Sequence, residues 1–504
     1  MTHAPAGGRR ELVVVGGGPS GMTAALLLAR RGHHVTLLEG SAGLGGLWGT
    51  RRDAEGYYLG ENSCKVYQST YHSAPALFRM IGTTWEDQFC ARHDLSVEWL
   101  RPFVRDASAR DLARLGRSFA LCLAGVAAER SLSVEAFLDR DGISEACRAW
   151  LRATALGGIT GTLKMTMGEL CYRLRANIAS ILFAANSTLY WNARPPDAPD
   201  GFVTAWADAL RIAGVSIRAS TEARALARTP DGRVHVDTAA GYRYTSDAVF
   251  VAAPPPAIAK LFEASDDAIA AGLGASRGAV RSVLTESVYE HLGISWHFDR
   301  PLPRDLPLGG HNVRRGWHAI LVQYSQYGAH LRPPAVTVVV GSVSLATNYP
   351  HHRLGTLAAG HDPDELARVL WADEQAVDPR LPDPIATYVY GMSAATQIVQ
   401  HGPLRVRCAN APVFLATHLN GLAPYFTASL ESAVQAGAAA AVAFDPEVER
   451  LPVGRGRDPI RNRSRDVREG AGVLRGPSFL VDESAIRRIG AAREVDSCSS
   501  CESS

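Results

Sequence analysis

Four consecutive apolar residues, Leu12-Val13-Val14-Val15, lie between Glu11 and the glycines at 16, 17 and 18, and beyond them the apolar positions change period. A run this short, closed by glycine, predicts a buried strand, and the apolar stretch 23–32 after it predicts a helix. A second strand follows over 35–39. Residues 76–205 then read mainly as helices, with segments at 73–81, 85–93, 107–117, 133–139 and 144–155. From Gly201 the pattern predicts a helix over 202–213 and strands over 215–218, 234–237 and 248–254, punctuated by Gly and Pro. Residues 257–400 mix strands at 294–298, 319–324 and 335–343 with one helix at 363–373. The chain then returns to a buried strand at 411–416 and an apolar helix at 426–444.

The turn between the first strand and the first helix carries the most chemistry. Gly16 and Gly18 let the backbone approach a pyrophosphate, which rests on the N-terminus of the helix that starts at Pro19 and Ser20. Gly21 lets that helix lie close on the strand. Glu39 ends the second strand roughly twenty residues on, where a carboxylate accepts hydrogen bonds from ribose hydroxyls. Glycine turn, helix and acid-terminated second strand together predict a dinucleotide-binding β-α-β unit.

Composition narrows the class. The 504 residues are 46% hydrophobic and 20% charged, which is enough material for two or three domains around a large cofactor. A formal net charge of +2 excludes a dedicated nucleic-acid binder, which needs concentrated basic surface. The apolar stretches 119–128 and 178–185 fall short of the roughly 20 residues that span a bilayer. The first strand starts too near Met1 to leave room for a secretion signal. A cytoplasmic chain without a membrane span is expected. Cys64, Cys90, Cys122, Cys147, Cys171 and Cys408 stand singly and read as buried free thiols; Cys498 and Cys501 form a CxxC without the second half of a metal site, so no metal is expected. No second strand-GxGxxG-helix appears, since Gly272 to Arg277 lacks both the leading strand and the third glycine. Residues 446–504 are Arg- and Ser-rich and read as a solvated, partly disordered extension.

Gly43-Leu44-Gly45-Gly46-Leu47 follows Glu39 closely. With the N-terminal glycine turn, this segment resembles the FAD-dependent amine oxidase and phytoene desaturase superfamily, which includes protoporphyrinogen oxidase-like flavoproteins. The resemblance covers about residues 10–445. It implies an α/β protein in which a Rossmann-like FAD-binding domain (1–75, 206–256 and 402–445) is interleaved with an α+β substrate domain, a mixed sheet plus helical lid (76–205 and 257–401). It implies non-covalent FAD held by Gly16, Gly18, Pro19, Ser20, Gly21, Glu39, Gly45, Gly46, Leu47, Gly60, Glu61, Asn62, Ser63, Ala223, Ala253, Thr417, His418 and Ala428. The C-terminal helix would point its positive end at the flavin ring.

Three positions depart from the family pattern. Leu47 stands where an Arg often reaches the pyrophosphate, a place Arg51 or Arg52 could fill. Thr417-His418 replaces the usual Ala-Gly and acid. The strand region 286–296 lacks the Lys that amine oxidases use near the flavin, leaving His291 or His297 as candidates for its role. Tyr425 and Phe426 match an aromatic wall beside the flavin. The implied activity is transfer of a hydride to flavin N5 from a small or medium organic substrate, amine or amino-acid-like, with oxygen or another external acceptor taking the electrons. The alternatives are a desaturase or isomerase of an apolar polyene or terpenoid, and a redox-inactive flavin-binding protein. A monomer or homodimer is expected.

Overall fold

The computed structural model describes residues 8–68, 71–92, 107–140, 142–153, 166–168, 170–171, 189–273, 288–303, 317, 319–345, 350–395, 405–417 and 429–452. Its first sheet is parallel and assembled from distant parts of the chain. The strands β1 (Glu11–Val15) and β2 (His34–Leu38) come from the N-terminus. They are joined by β8 (Ser216–Arg218), β12 (Ala248–Val251) and β17 (Val413–Leu415), in the order β17-β12-β1-β2-β8. Leu12 lies in register with Ala248 on one side and Val35 on the other. All four residues of β12 are buried, as expected for a parallel strand covered on both faces.

The first helix, Pro19–Arg30, starts on a proline whose missing N–H costs nothing at that position. It is almost wholly buried, and the C-terminal helix Leu430–Phe444 packs along it. That approach depends on Gly437. A Cβ there would lie 2.1 Å from the Ser20 carbonyl oxygen and 2.9 Å from the Thr23 Cβ. The Ser20 hydroxyl donates to the Ala416 carbonyl at 2.6 Å, tying the start of the first helix to the end of β17.

The second large sheet is antiparallel, in the order β14 (Ala319–Gln323), β15 (Thr337–Ser344), β13 (Val288–Phe298), β16 (Ala386–Ala395). The 11-residue β13 alternates with period two. Leu292, Ile294, Trp296 and Phe298 face the helix Pro363–Val377 and pack with Leu366, Leu370 and Trp371. The other face, carrying His291, Gly293, Ser295 and His297, lies against β4 (Tyr58–Glu61), which forms a hairpin with β3 (Thr50–Arg52), and against the residues just after it. Smaller antiparallel sheets join β5 (Tyr67–Gln68), β7 (Leu189–Asn192) and β6 (Phe89–Arg92), and β9 (Ala223–Arg228), β10 (Val234–Thr238) and β11 (Arg243–Ser246).

Helices Ala109–Leu123, Ala127–Arg130, Val134–Leu138 and Glu145–Ala153 form a group with their own core of Leu115, Cys122, Phe137, Leu138, Cys147 and Leu151. One carboxylate organises two of their starts. Asp111 accepts from the Ser108 backbone N–H and hydroxyl, and from the Ser144 backbone N–H and hydroxyl.

The sequence expectation fails at 85–93. A single turn, Trp85–Gln88, gives way to strand β6, which pairs with β7 from Phe89↔Asn192 to Arg92↔Leu189. Phe89 lies 4.2 Å, centroid to centroid, from both Tyr67 and Trp85, and this aromatic packing overrides the helical periodicity. Strands β3, β4, β5, β7, β9, β11 and β16 were not anticipated either. The six singly placed cysteines are free thiols, but Cys90 is exposed rather than buried and Cys64 half-buried. No helix among the described residues is long and apolar enough to cross a membrane.

Two outcomes follow from this packing. Gly437→Ala should lower the melting temperature, because a methyl group driven into a backbone carbonyl forces the two helices apart at a cost of about 1–3 kcal/mol or more. The second concerns acid. Burial pushes the Asp111 carboxyl up, but hydrogen bonds from Ser144 and Ser108 outweigh it and hold the group at about 2, below the usual 3.8. A depressed carboxylate contributes stability above its unfolded value and loses it as pH falls towards the folded one. Helical circular dichroism should therefore drop between about pH 4 and pH 2, and Asp111→Asn should weaken that step while lowering stability at neutral pH.

Candidate functional site

The glycine turn is built as a cradle. A Cβ on Gly21 would sit 1.9 Å from the Gly16 carbonyl oxygen, so only glycine lets the helix start this close to the strand. At Gly18 the reverse holds. A Cβ there meets nothing nearer than the Gly46 Cα at 3.8 Å, leaving room above the turn. Gly45 and Gly46 have φ of +110° and +55°, and the Gly45 N–H donates to the Gly17 carbonyl at 2.9 Å, so the second glycine segment folds back over the first. The first helix has no side-chain cap and no acid in its first turn. Its N-terminal N–H groups and positive dipole end are thus available to an anion.

Glu39 does more than the sequence suggested. Its Oε2 accepts the Gly17 N–H at 2.6 Å, while Oε1 accepts the Ser41 N–H at 2.7 Å and hydroxyl at 2.6 Å. The carboxylate braces the turn and keeps lone pairs on Oε2 for a hydroxyl donor. Leu47 is half-buried, and neither proposed substitute turns towards the glycines. Arg52 pairs with Asp197 at 2.8 Å and donates to the Gly56 carbonyl. The Arg51 guanidinium lies over the Tyr390 ring, 5.7 Å from its centroid. Ala253 follows β12 directly beneath Gly16, and Ala223 opens β9. Thr417 is buried. His418, Tyr425, Phe426 and Ala428 lie outside the described residues.

Gly60, Glu61, Asn62 and Ser63 run along the polar face of β13. A Cβ on Gly60 would meet Tyr390 Cε2 at 2.6 Å and Ser295 Oγ at 2.7 Å, and one on Gly293 would meet the Glu61 and Asn62 carbonyl oxygens at 2.4 Å. Two facing glycines therefore let this segment sit on the strand. Glu61 is buried with Lys65, whose Nζ lies 3.2 Å from Glu61 Oε2 and 2.7 Å from the Ser63 carbonyl oxygen. Burial raises the Glu61 carboxyl, and Lys65 opposes that rise. The phenols of Tyr58, Tyr324 and Tyr327 pack beside the pair and are pushed well above their usual range, first by burial and then by the Glu61 charge.

Both candidate histidines come to this face. The His291 ring nitrogens are covered although part of the residue keeps some exposure; burial, then the nearby Lys65 charge, pushes the imidazole down to about 4, so it is neutral at physiological pH. His297 is lowered by burial. Its Nε2 lies 3.0 Å from the Leu59 carbonyl and must donate to it, which clasps β13 to β4. Sequence reasoning missed Lys65 because it is far from 286–296 along the chain. A signal existed: Lys65, Lys164 and Lys260 are the only lysines among 52 basic residues.

Two other features lie away from the cradle. A cavity of about 810 Å³ sits at the opposite, N-terminal end of the parallel strands, between Arg10, Asp247, Pro412 and Asp445. His351, His352 and Asp373 cluster by the helix Pro363–Val377. There His351 Nε2 donates to Asp373 at 2.6 Å while its Nδ1 accepts the Arg353 and Leu354 N–H groups at 3.3 Å, and Arg353 also pairs with Asp373. Both ring nitrogens are engaged, which makes this a loop clasp.

The family model described as NAD(P)-binding Rossmann-like domain matches residues 14–84. Among solved structures, the chain is similar to a putative protoporphyrinogen oxidase from Exiguobacterium sp. 255-15, with 17% identity, a TM-score of 0.55, and coverage of 87% of this chain and 99% of that one. It is similar to cyclohexylamine oxidase from Brevibacterium oxydans IH-35A, with 14% identity, a TM-score of 0.55, and coverage of 88% and 100%. It is also similar to wild-type putrescine oxidase bound to putrescine, with 12% identity, a TM-score of 0.55, and coverage of 86% and 98%. No curated protein matches by sequence. The chain has the amine oxidase fold. The α/β reading, a parallel Rossmann-like sheet combined with antiparallel sheets and helices, holds on this ground.

Removing one member of the buried ion pair should be costly. Lys65→Met or Glu61→Gln alone should each destabilise the protein, Lys65→Met by about 3–5 kcal/mol, because it strands a buried charge. The double variant should lose less than the sum of the two, as read from chemical denaturation.

Proposed function

We propose that this amine-oxidase-fold chain is a non-covalent FAD-dependent oxidoreductase that takes a hydride from a small or medium organic substrate, amine or amino-acid-like, with oxygen or another external acceptor receiving the electrons. The observation that carries the reading is the glycine cradle: an uncapped helix N-terminus faces open space above Gly18, with Glu39 at the end of the neighbouring strand. Those are the donors and the acceptor that a pyrophosphate and a ribose require.

Bound FAD would supply the hydride-accepting ring. The chain supplies the rest. Gly16, Gly18, Pro19, Ser20 and Gly21 would take the pyrophosphate, with Gly45, Gly46 and Leu47 folding over it. Glu39 would accept from the ribose. Ala223 and Ala253 would border the adenine, and Gly60 to Ser63 with Thr417 would border the ring. His291, held neutral by burial, lies beside the buried Lys65–Glu61 pair. We assign 1–75, 206–256 and 402–445 to cofactor binding and 76–205 with 257–401 to the substrate. The support is that all five parallel strands fall in the first set and the β13 sheet in the second.

Gly18→Val tests the reading. Gly18 has φ −77° and ψ 174°, a conformation that valine adopts, and its Cβ meets no close neighbour. The variant should melt near the temperature of flavin-stripped wild type yet purify colourless, without the flavin absorbance at about 450 nm that the bound ring gives. A Gly18→Val protein as yellow as wild type would sink the assignment.

A further inference from the structure

Glu431 is fully buried in the first turn of the C-terminal helix, yet its carboxylate turns away from that helix's own end. Oε1 accepts the backbone N–H groups of His72 at 3.2 Å and Ser73 at 2.8 Å, together with Gln435 Nε2 at 2.8 Å; Oε2 accepts the Ala74 N–H at 2.8 Å. These three residues open the helix Ser73–Met80. No Lys, Arg or His pairs with Glu431 among the described residues. The N-terminus of the Ser73–Met80 helix thus closes on an anion carried by its neighbour, and that N-terminus supplies three of the four hydrogen bonds that hold the charge. The tie reaches further, since the Ser73 hydroxyl donates to the Pro452 carbonyl at 2.8 Å.

We propose that Glu431 is a positioning residue that locks the Ser73–Met80 helix onto the C-terminal helix and, by placing a buried negative charge in that helix's first turn, lowers the positive potential the helix offers to a redox ring. This rests on the flavoprotein reading above. It adds that the C-terminal helix is a tempered electrostatic device: a carboxylate two residues past its cap, Ser429, opposes the dipole that would otherwise favour an anionic reduced ring.

The test is the midpoint potential of the flavin-loaded protein, measured beside the melting temperature. Glu431→Gln removes the charge and sets an amide N–H against a backbone donor. It should shift the potential to a more positive value and lower the melting temperature. Glu431→Asp keeps the charge but shortens its reach, so it should lower the melting temperature while leaving the potential near wild type. A Glu431→Gln potential equal to wild type, or an equal shift in Glu431→Asp, overturns the proposal and leaves Glu431 a purely structural cap. Should Glu431→Gln not fold, Gln435→Lys neutralises the same carboxylate in place; the same upward shift is expected, and its absence overturns the proposal. Wild-type protein that holds no flavin overturns the functional reading itself.

Discussion

The close contact between the first helix and the C-terminal helix is the constraint on which the candidate site depends. The helices touch where Gly437 meets the Ser20 carbonyl and Thr23, and Ser20 reaches across to Ala416. The same first turn that faces the anion cradle is therefore fixed from behind by the far end of the chain. Any residue larger than glycine at 437 would push the helix, and with it the donor groups of the cradle, out of place.

A second junction joins the parallel sheet's environment to the antiparallel one. Segment 59–65, the end of β4 and the residues after it, lies on the polar face of β13, through the facing glycines Gly60 and Gly293 and the His297–Leu59 hydrogen bond. Burying Glu61 and Lys65 there is expensive in solvation, and the Tyr58 hydroxyl, which donates to Glu61 at 3.3 Å, and the Ser63 carbonyl replace only part of the lost water. Such a pair is a weak source of stability. What it provides is a fixed, dry arrangement of opposite charges beside a neutral imidazole.

Much of the parallel half was legible in the sequence because its signals are local. Strand β1 runs from Glu11 to Val15 as read, and the glycine turn, first helix and Glu39 fall where the spacing put them. Local signals failed where partners are distant. Residues 89–92 have helical periodicity but take their conformation from β7, about a hundred residues away. The roles of Arg51 and Arg52 depended on Tyr390 and Asp197, which nothing near them in the chain announces. The rarity of lysine marks Lys65 in the sequence, but its burial, like that of Glu431, is set by tertiary packing that no local pattern announces.

The hydrogen bond from Ser20 to Ala416 spans 396 residues of chain, and this has a consequence for biosynthesis. A ribosome working at about 5–20 residues per second needs on the order of 20–80 seconds to travel that distance. Throughout that interval the nascent first helix presents the face of Ser20 and Thr23 without the Gly437 surface that finally covers it. Translation must pass β17 and the helix Leu430–Phe444 before the cradle can close, so its donor groups are fixed only after most of the parallel sheet has been made.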